Sequence, residues 1–488
     1  MIVSEVLQKT NQLKAIDFTK ELRTEFSPDL SIQMKSVLQE ADLSKTFVER
    51  FLWFFINENY AVYEFLPLKP KESEDGLKAY RLTGASGSFF CVLTDPRLKA
   101  GTFSNLSLDY FHRFLDHISL QPANIPFVFG LNSAGVRLTQ TRDMFNRIWR
   151  VVPRLFQLRK QRPFLSFTDQ QCLGASALFF AQAHYRIVSG KKTILNLTGP
   201  GVINYFFGED RGFFQYASAQ FQFERHLLIH EYTNDFPELL RRLYQILNYY
   251  QGSTVADVTG ALASSGFSTK KYFFFNSTEK HNDFLKTVTD THFEIFPGYS
   301  ESGLSYLCRK GDFNFGLLIN PLGHPVNAIS VSTIEKYIEA LTLFKALRLP
   351  LFVVTDSPGG DPREKSSNRN VIMKSLQLIE SLVDYPFAKI GLVAGRCFGG
   401  SGLFALPHVH HSDGLYALAG SKFGAISDEF IERLAKNSPE WQTTKNVHKS
   451  DLSDLTSTGN IKKIVQWDEL PLLIEELRTL SLAKSKAN

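Results

Sequence analysis

The stretch Cys172-Leu-Gly-Ala-Ser-Ala-Leu178 returns as Cys397-Phe-Gly-Gly-Ser-Gly-Leu403, and the two cysteines lie 225 residues apart. Upstream, Ile125-Pro-Phe-Val-Phe-Gly-Leu-Asn-Ser-Ala-Gly135 recurs as Leu349-Pro-Leu-Phe-Val-Val-Thr-Asp-Ser-Pro-Gly359, with Pro126 and Pro350 separated by 224. Further up, Cys91-Val-Leu-Thr-Asp-Pro96 answers Gly316-Leu-Leu-Ile-Asn-Pro321 at a separation of 225. Three matches in the same order at a nearly constant offset identify an internal duplication. A repeat of this length is a whole fold unit, not the rung of a solenoid. A chain of 488 residues also exceeds one typical core, so two domains are expected on size alone.

The two small-residue stretches have one physical reading. An apolar strand leads towards each (Pro163-Phe-Leu-Ser-Phe167; Ile390-Gly-Leu-Val-Ala394), and a helix of small residues follows. Glycine at such a junction removes the Cβ that would keep backbone away from a ligand. The helix start leaves N–H groups without intrahelical partners. Together these features make an oxyanion hole, a set of fixed donors for a carbonyl oxygen that becomes negative during reaction. Tight strand–helix packing asks for the same glycines, but two copies in matched contexts favour the ligand.

Composition narrows the class. The chain is 43% hydrophobic and 21% charged, as in ordinary globular proteins, and its net charge of +5 is too mild to call for nucleic acid. The N-terminus has no basic segment followed by an apolar one, so no secretory signal is expected, and no apolar run is long enough to cross a membrane. Four scattered cysteines without a C-x-x-C pair exclude a zinc ribbon and point to a reduced, cytoplasmic setting.

Along the chain, residues 1–79 read as a helical N-terminal segment, because Val37, Leu38, Leu43, Phe47, Phe51 and Leu52 recur at helical spacing. Residues 80–255 alternate short apolar runs with amphipathic helices, the pattern of an α/β domain with parallel strands. Strands are expected at Phe89–Thr94, Phe127–Leu131 and Thr193–Leu197, into Cys172, and near Leu227. Helices are expected at Leu108–Ile118, Met144–Leu158 and from Pro237. A polar Gly/Ser-rich linker is expected over 256–289, and residues 290–488 repeat the programme, with a helix over Val371–Val383.

Several motifs together resemble one family. Phe293-Glu-Ile295, Gly311-Asp-Phe-Asn-Phe-Gly-Leu-Leu-Ile-Asn-Pro321, Asp356-Ser-Pro-Gly359 and Phe398-Gly-Gly-Ser401 resemble the C-terminal half of the acyl-CoA carboxylase carboxyltransferases. Ser133-Ala-Gly-Val-Arg-Leu138 and Leu197-Thr-Gly-Pro-Gly-Val-Ile203 resemble their N-terminal half, and Gly135-Val-Arg-Leu138 is similar to the biotin-independent malonate decarboxylase branch. The resemblance implies an α/β fold made of two tandem crotonase-like domains, each a spiral of ββα units. It also implies an active site between the N-half of one subunit and the C-half of another, hence a homo-oligomer. Carried over, Gly174 and Ala175 stabilise an acyl-thioester enolate, and Gly399, Gly400 and Ser401 hold the ureido oxygen of carboxybiotin. Ser133, Ala134, Gly135, Arg137, Gly199, Pro358, Gly359 and Gly360 line the substrate. The implied reaction is carboxyl transfer on an acyl-CoA or acyl-carrier thioester. The alternatives are biotin-independent malonyl-thioester decarboxylation and a non-catalytic scaffold. Departures are Gly-Ala for Gly-Gly in the first half, the absence of an Arg-rich N-terminal segment, and the absence of an Ala-Met-Lys-Met site. Biotin therefore has to arrive on a separate carrier protein, with a biotin carboxylase as the further partner, and no cofactor is attached to this chain.

Other candidates carry less. His408, His410 and His411 suggest a metal only weakly, since Pro407 puts them in a loop, and no metal site is expected. Cys172 and Cys397 sit at strand ends, where cysteine is usually a small buried hydrophobe. Arg137, Arg142, Arg147, Arg150, Arg154, Arg159, Lys160 and Arg162 crowd one segment, either as a solvated face or as a dock for CoA phosphates or an acidic carrier protein. Arg363 follows the second-half turn and belongs to the same kind of surface.

Overall fold

The computed structural model describes residues 25–40, 46–68, 75–208, 212–251, 277–300, 302–323, 327–361, 363, 369–405, 412–424, 432–433, 435–436, 452–457 and 459–487. The chain divides into two compact units, Met1–Val255 and Ala256–Asn488.

In the first unit, helices α1 (Ser31–Glu40) and α2 (Phe47–Asn57) precede strands β1 (Ala61–Glu64), β2 (Leu77–Gly84) and β3 (Gly87–Thr94). Then come α3 (Asn105–Ser119), β4 (Phe127–Gly130), α4 (Thr141–Gln161), β5 (Phe164–Thr168), β6 (Gln171–Leu173) and α5 (Ala175–Ala181). The unit continues through β7 (Tyr185–Ser189), β8 (Ile194–Asn196), α6 (Pro200–Phe207), α7 (Phe213–Tyr216), α8 (Ala219–His226), β9 (Glu231–Thr233) and α9 (Phe236–Gln251). Its main sheet has the order β1-β2-β3-β4-β5-β7-β9, with β6 and β8 paired separately. The β1–β3 pairings are antiparallel, and β3 onwards is parallel.

The second unit opens with α10 (Ser277–Val288), β10 (Thr291–Glu294), β11 (Leu304–Lys310), β12 (Phe313–Ile319), α11 (Val331–Ala346) and β13 (Leu351–Ser357). It closes with α12 (Val371–Val383), β14 (Lys389–Phe398), α13 (Ser401–Phe404), β15 (Gly414–Leu418), β16 (Lys422–Gly424), α14 (Leu452–Ser457), β17 (Lys463–Val465) and α15 (Leu470–Ala487). The order β10-β11-β12-β13-β14-β15-β17, with β16 on the end of β14, reproduces the first unit strand for strand. The expected duplication of an α/β unit is therefore the fold.

Its causes are local as well as global. β5, β7 and β13 are buried along their whole length, as parallel strands covered on both faces must be. Ser104 and Ser330 cap α3 and α11 through their hydroxyls, each taking the N–H three residues on. The Val371–Val383 helix has the expected bounds.

Four expectations change. The described residues of 1–79 are not a separate helical segment, because β1 and the start of β2 join the first sheet and Phe51 stacks on Phe167 of β5 at 5.3 Å; residues 1–24 lie outside the described residues. The residues 277–288 placed in the linker are α10, whose Phe284, Leu285 and Val288 lie in the second core. The strand expected near Leu227 begins at Glu231, since Leu227 takes a left-handed conformation that ends α8. The strand leading into Cys172 is not continuous with β5: the chain turns at 169–170 and starts again as β6. Among the described residues no helix is long and apolar enough to cross a membrane. His408, His410 and His411 lie outside the described residues.

Candidate active site

Each repeated turn is built from two pieces of chain held together by a serine. In the first unit, a parallel bridge joins Ser133 to Cys172, with the Ser133 N–H donating to Gln171 O (2.8 Å) and the Leu173 N–H to Ser133 O (3.0 Å). The Ser133 hydroxyl accepts the Gly135 N–H at 3.1 Å and so folds the following loop back on itself. From the helix side, the Ser176 hydroxyl donates to Leu173 O (2.6 Å) and Ser133 O (3.2 Å). The second unit repeats all of it. Ser357 pairs with Cys397, its hydroxyl accepts the Gly359 N–H at 3.2 Å, and the Ser401 hydroxyl reaches Phe398 O (2.7 Å) and Ser357 O (3.3 Å). All four serine side chains are buried.

The glycines then take conformations that follow from this frame. Gly174 and Gly399 have φ of 61° and 53°, where an L side chain is strained. Gly135 packs so close to β6 that a Cβ would lie 2.8 Å from Leu173 O. The turn amides divide into engaged and unengaged sets. The Gly174 N–H donates to Asn196 O and the Gly399 N–H to Gly424 O, each at 3.0 Å. These two glycines shape the turn, and their own amides are already engaged. The N–H groups of Ala175 and Gly400 meet no acceptor among the described residues.

A second unengaged amide stands beside each. Phe103 takes its backbone bonds from Gly135 O and the Arg137 N–H (both 2.8 Å), which turns the intervening Val136 N–H away from it. Ile329 does the same with Gly359 O and the Asp361 N–H, and leaves Gly360. Neither Val136 nor Gly360 has an N–H acceptor among the described residues. Each unit thus presents one loop donor and one helix-start donor (Val136 with Ala175, Gly360 with Gly400), the makings of an oxyanion hole. Val136 was not singled out in the sequence. The signal was its place between Gly135 and Arg137, matching Gly360 between Gly359 and Asp361.

Other candidates are placed as follows. Gly199 caps α6, and a Cβ there would lie 3.7 Å from the Leu173 side chain, next to the first turn. The Ala134 N–H is bonded to Ala100 O at 3.0 Å, and Pro358 follows Ser357 in the second loop. Arg137 is committed to the fold: its guanidinium donates to Asp75 (2.7 Å) and to Thr102 O (3.3 Å). The basic stretch is not one open face. Arg147 forks onto Asp109, Arg154 pairs with Asp116, and Arg162, 1% exposed, donates to the Ile118, Gln121 and Ile125 carbonyls. Arg363 pairs with its neighbour Asp361. Burial pushes the Cys172 and Cys397 thiols up to about 12, so both stay protonated at neutral pH and only pack.

No protein-family model matches the chain, and no curated protein matches it in sequence. Solved structures do. The transcarboxylase 12S hexamer with hydrolysed methylmalonyl-CoA bound superposes with a TM-score of 0.70 at 16% identity, covering 84% of this chain and 82% of the other. The same enzyme with methylmalonyl-CoA and methylmalonic acid gives 0.71 at 16% identity over the same shares. A single-chain, multi-domain long-chain acyl-CoA carboxylase gives 0.65 at 14% identity, covering 83% of this chain and 41% of its own. At such identities the likeness establishes the fold, and the duplicated crotonase-like architecture is that of these carboxyltransferases.

Proposed function

We propose that the chain is a carboxyltransferase working at the carbon next to an acyl thioester, carried by CoA or an acyl carrier protein. The supporting observation is the duplicated pair of unengaged amides, Val136 with Ala175 and Gly360 with Gly400. Removing a proton or carboxyl group from that carbon leaves an electron pair that delocalises onto the thioester oxygen. Two fixed N–H donors stabilise this enolate without any titrating side chain. The first turn takes the thioester oxygen, and the second takes the ureido oxygen of a biotin delivered by a carrier protein, itself charged by a biotin carboxylase. Among the described residues the second turn has room for this, since a Cβ on Gly360 or Gly400 would meet none of them within 4 Å. Biotin supplies the carboxyl carrier, and this chain supplies the donors that orient it.

A homo-oligomer belongs to the same reading. α6 beside the first turn has no buried residue, with Tyr205 84% and Phe206 72% exposed. An apolar helix left in water is ordinarily covered, and a second copy is the proposed cover. Sedimentation at micromolar concentration tests this, and a strictly monomeric protein removes it.

The activity test incubates the pure protein with malonyl-CoA and with malonyl-carrier protein, with and without free biotin, following products by mass. Biotin-dependent carboxyl transfer is the expected result. Loss of CO2 without biotin assigns a decarboxylase instead, and no turnover of either substrate leaves a non-catalytic scaffold.

A further inference from the structure

Beneath each turn, immediately before its serine, stands a buried side chain that no part of the chemistry above uses. In the first unit it is Asn132, 0% exposed. Its Oδ1 accepts from the Thr168 hydroxyl (2.7 Å), the Asp169 N–H (3.1 Å) and the Gln170 N–H (3.1 Å). Its Nδ2 donates to the Asp169 carboxylate, which also takes the Arg50 guanidinium at 2.6 Å. Its backbone is tied as well, the N–H donating to the Thr94 hydroxyl at 2.7 Å and the carbonyl accepting from it at 3.2 Å. One amide side chain thus holds the whole corner 168–170 that separates β5 from β6. In the second unit the equivalent place is Asp356, 3% exposed. Its Oδ1 accepts both the Arg396 N–H and Nε–H at 2.9 Å, and its Oδ2 accepts the Gly323 N–H at 2.7 Å.

We infer that Asn132–Ser133 and Asp356–Ser357 are paired positioning elements, each of which sets the aim of its own turn's amides. The Asx side chain fixes the strand that enters the turn, and the serine fixes the loop and the helix start against it. The polar side-chain atoms of both hubs are paired, and a buried hub with its partners in place holds one geometry, while one missing a partner does not. Small displacements of donors from a reacting oxygen lower rate more than binding. The neutral hub lies under the turn proposed to receive the enolate, and the anionic one, neutralised by Arg396, under the other. The catalytic part of this inference rests on the function proposed above, and the structural part does not.

The test is amide exchange followed by mass spectrometry on the full chain, with activity measured alongside. Asn132→Ala is expected to speed exchange of the 168–178 peptide roughly tenfold and to leave 396–403 unchanged. Asp356→Ala should do the reverse. The double exchange Asn132→Asp with Asp169→Asn keeps the acceptor for all three donors, restores the side-chain bond with its direction reversed, and should recover most of the protection at 168–178. In the activity assay, Asn132→Ala should lower kcat roughly tenfold with little change in KM. Exchange that rises equally throughout the first unit, or no rescue by the double exchange, overturns the inference by making Asn132 a general support of the core. An Asn132→Ala chain that fails to fold overturns it in the same way, unless Ser133→Ala, a milder cut in the same element, shows the local pattern. Wild-type protein inactive towards both thioesters sinks the proposed function alone, because the exchange pattern is read without it.

Discussion

The two units build the same turn on different foundations. Their serine frames share the same turn bonds, to which the Ser357 hydroxyl adds one to Asn327 O at 2.8 Å; β14 stays one strand from Lys389 to Phe398, with a register shift against β13 between Thr355 and Ser357, whereas the first unit separates β5 from β6. The second unit holds its strand end with an ion pair between buried Asp356 and half-buried Arg396, and the first with a neutral amide backed by Asp169 and Arg50. After duplication, the parts that aim backbone amides kept their geometry, and the parts that support them diverged in charge. The constraint falls on where the N–H groups point, which many supports satisfy, and not on the supports themselves.

The largest effect is expected from filling the second turn. Gly400 has φ of −59°, and a Cβ there meets nothing within 4 Å among the described residues, so Gly400→Val is expected to fold while its branched carbons enter the place proposed for the oxygen. Loss of one such contact costs about 3–4 kcal/mol of transition-state stabilisation, roughly 100–1000-fold in rate. Ala175 already carries the methyl that Gly400→Ala would add at the matching position, so that variant should stay near wild type. Steady-state rates on both variants check the pair, and full activity in Gly400→Val would move the chemistry away from this turn. Gly174→Val is the poorer probe, because its φ of 61° makes any side chain there a strain on the fold.

Acid should separate the units next. Burial, reinforced by the neighbouring His292, holds His281 down at about 4, from an ordinary value of 6.5. The folded unit keeps this imidazole neutral while the unfolded chain takes up a proton. Stability is therefore intact above about pH 6.5 and falls by about 1.4 kcal/mol per pH unit on the way down to about 4. His281→Phe should lower the slope and leave the part that His292, also held down by burial, contributes. Urea titrations at pH 7 and pH 4.5 measure it, and an unchanged slope refutes the assignment to His281.

The cysteines should behave alike in both units. Cys172→Ala and Cys397→Ala are each expected to cost about 1–2 kcal/mol of stability and at most a few-fold in activity. With thiols raised to about 12, the folded protein stays protonated where the unfolded chain ionises, so stability is full below about pH 9 and declines as pH rises towards 12. Alkylation of the folded protein at pH 8, read by intact mass, should find neither cysteine, and rapid labelling of either would contradict its packing role. The smallest effect is at the caps. Ser104→Ala and Ser330→Ala should each cost about 1 kcal/mol, and thermal unfolding of the two variants should agree closely.

The sequence alone determined the duplication, the α/β class and the two glycine turns, because these are written in local spacing and residue size. Strand alternation and the Gly-Ala and Gly-Gly steps of 174–175 and 399–400 are visible without any partner. What stayed hidden depended on residues far apart in the chain. That Phe51 and Arg50 belong to the first unit is decided by Phe167 and Asp169, more than a hundred residues away. That Arg137 serves the fold is decided by Asp75 and Thr102, and that Gly174 gives its own amide to the fold is decided by Asn196. Local pattern records what a residue is able to do. Which donors remain unengaged, and hence where a ligand oxygen can sit, follows only after every tertiary bond has been made, since a buried N–H takes the acceptor that the fold brings to it.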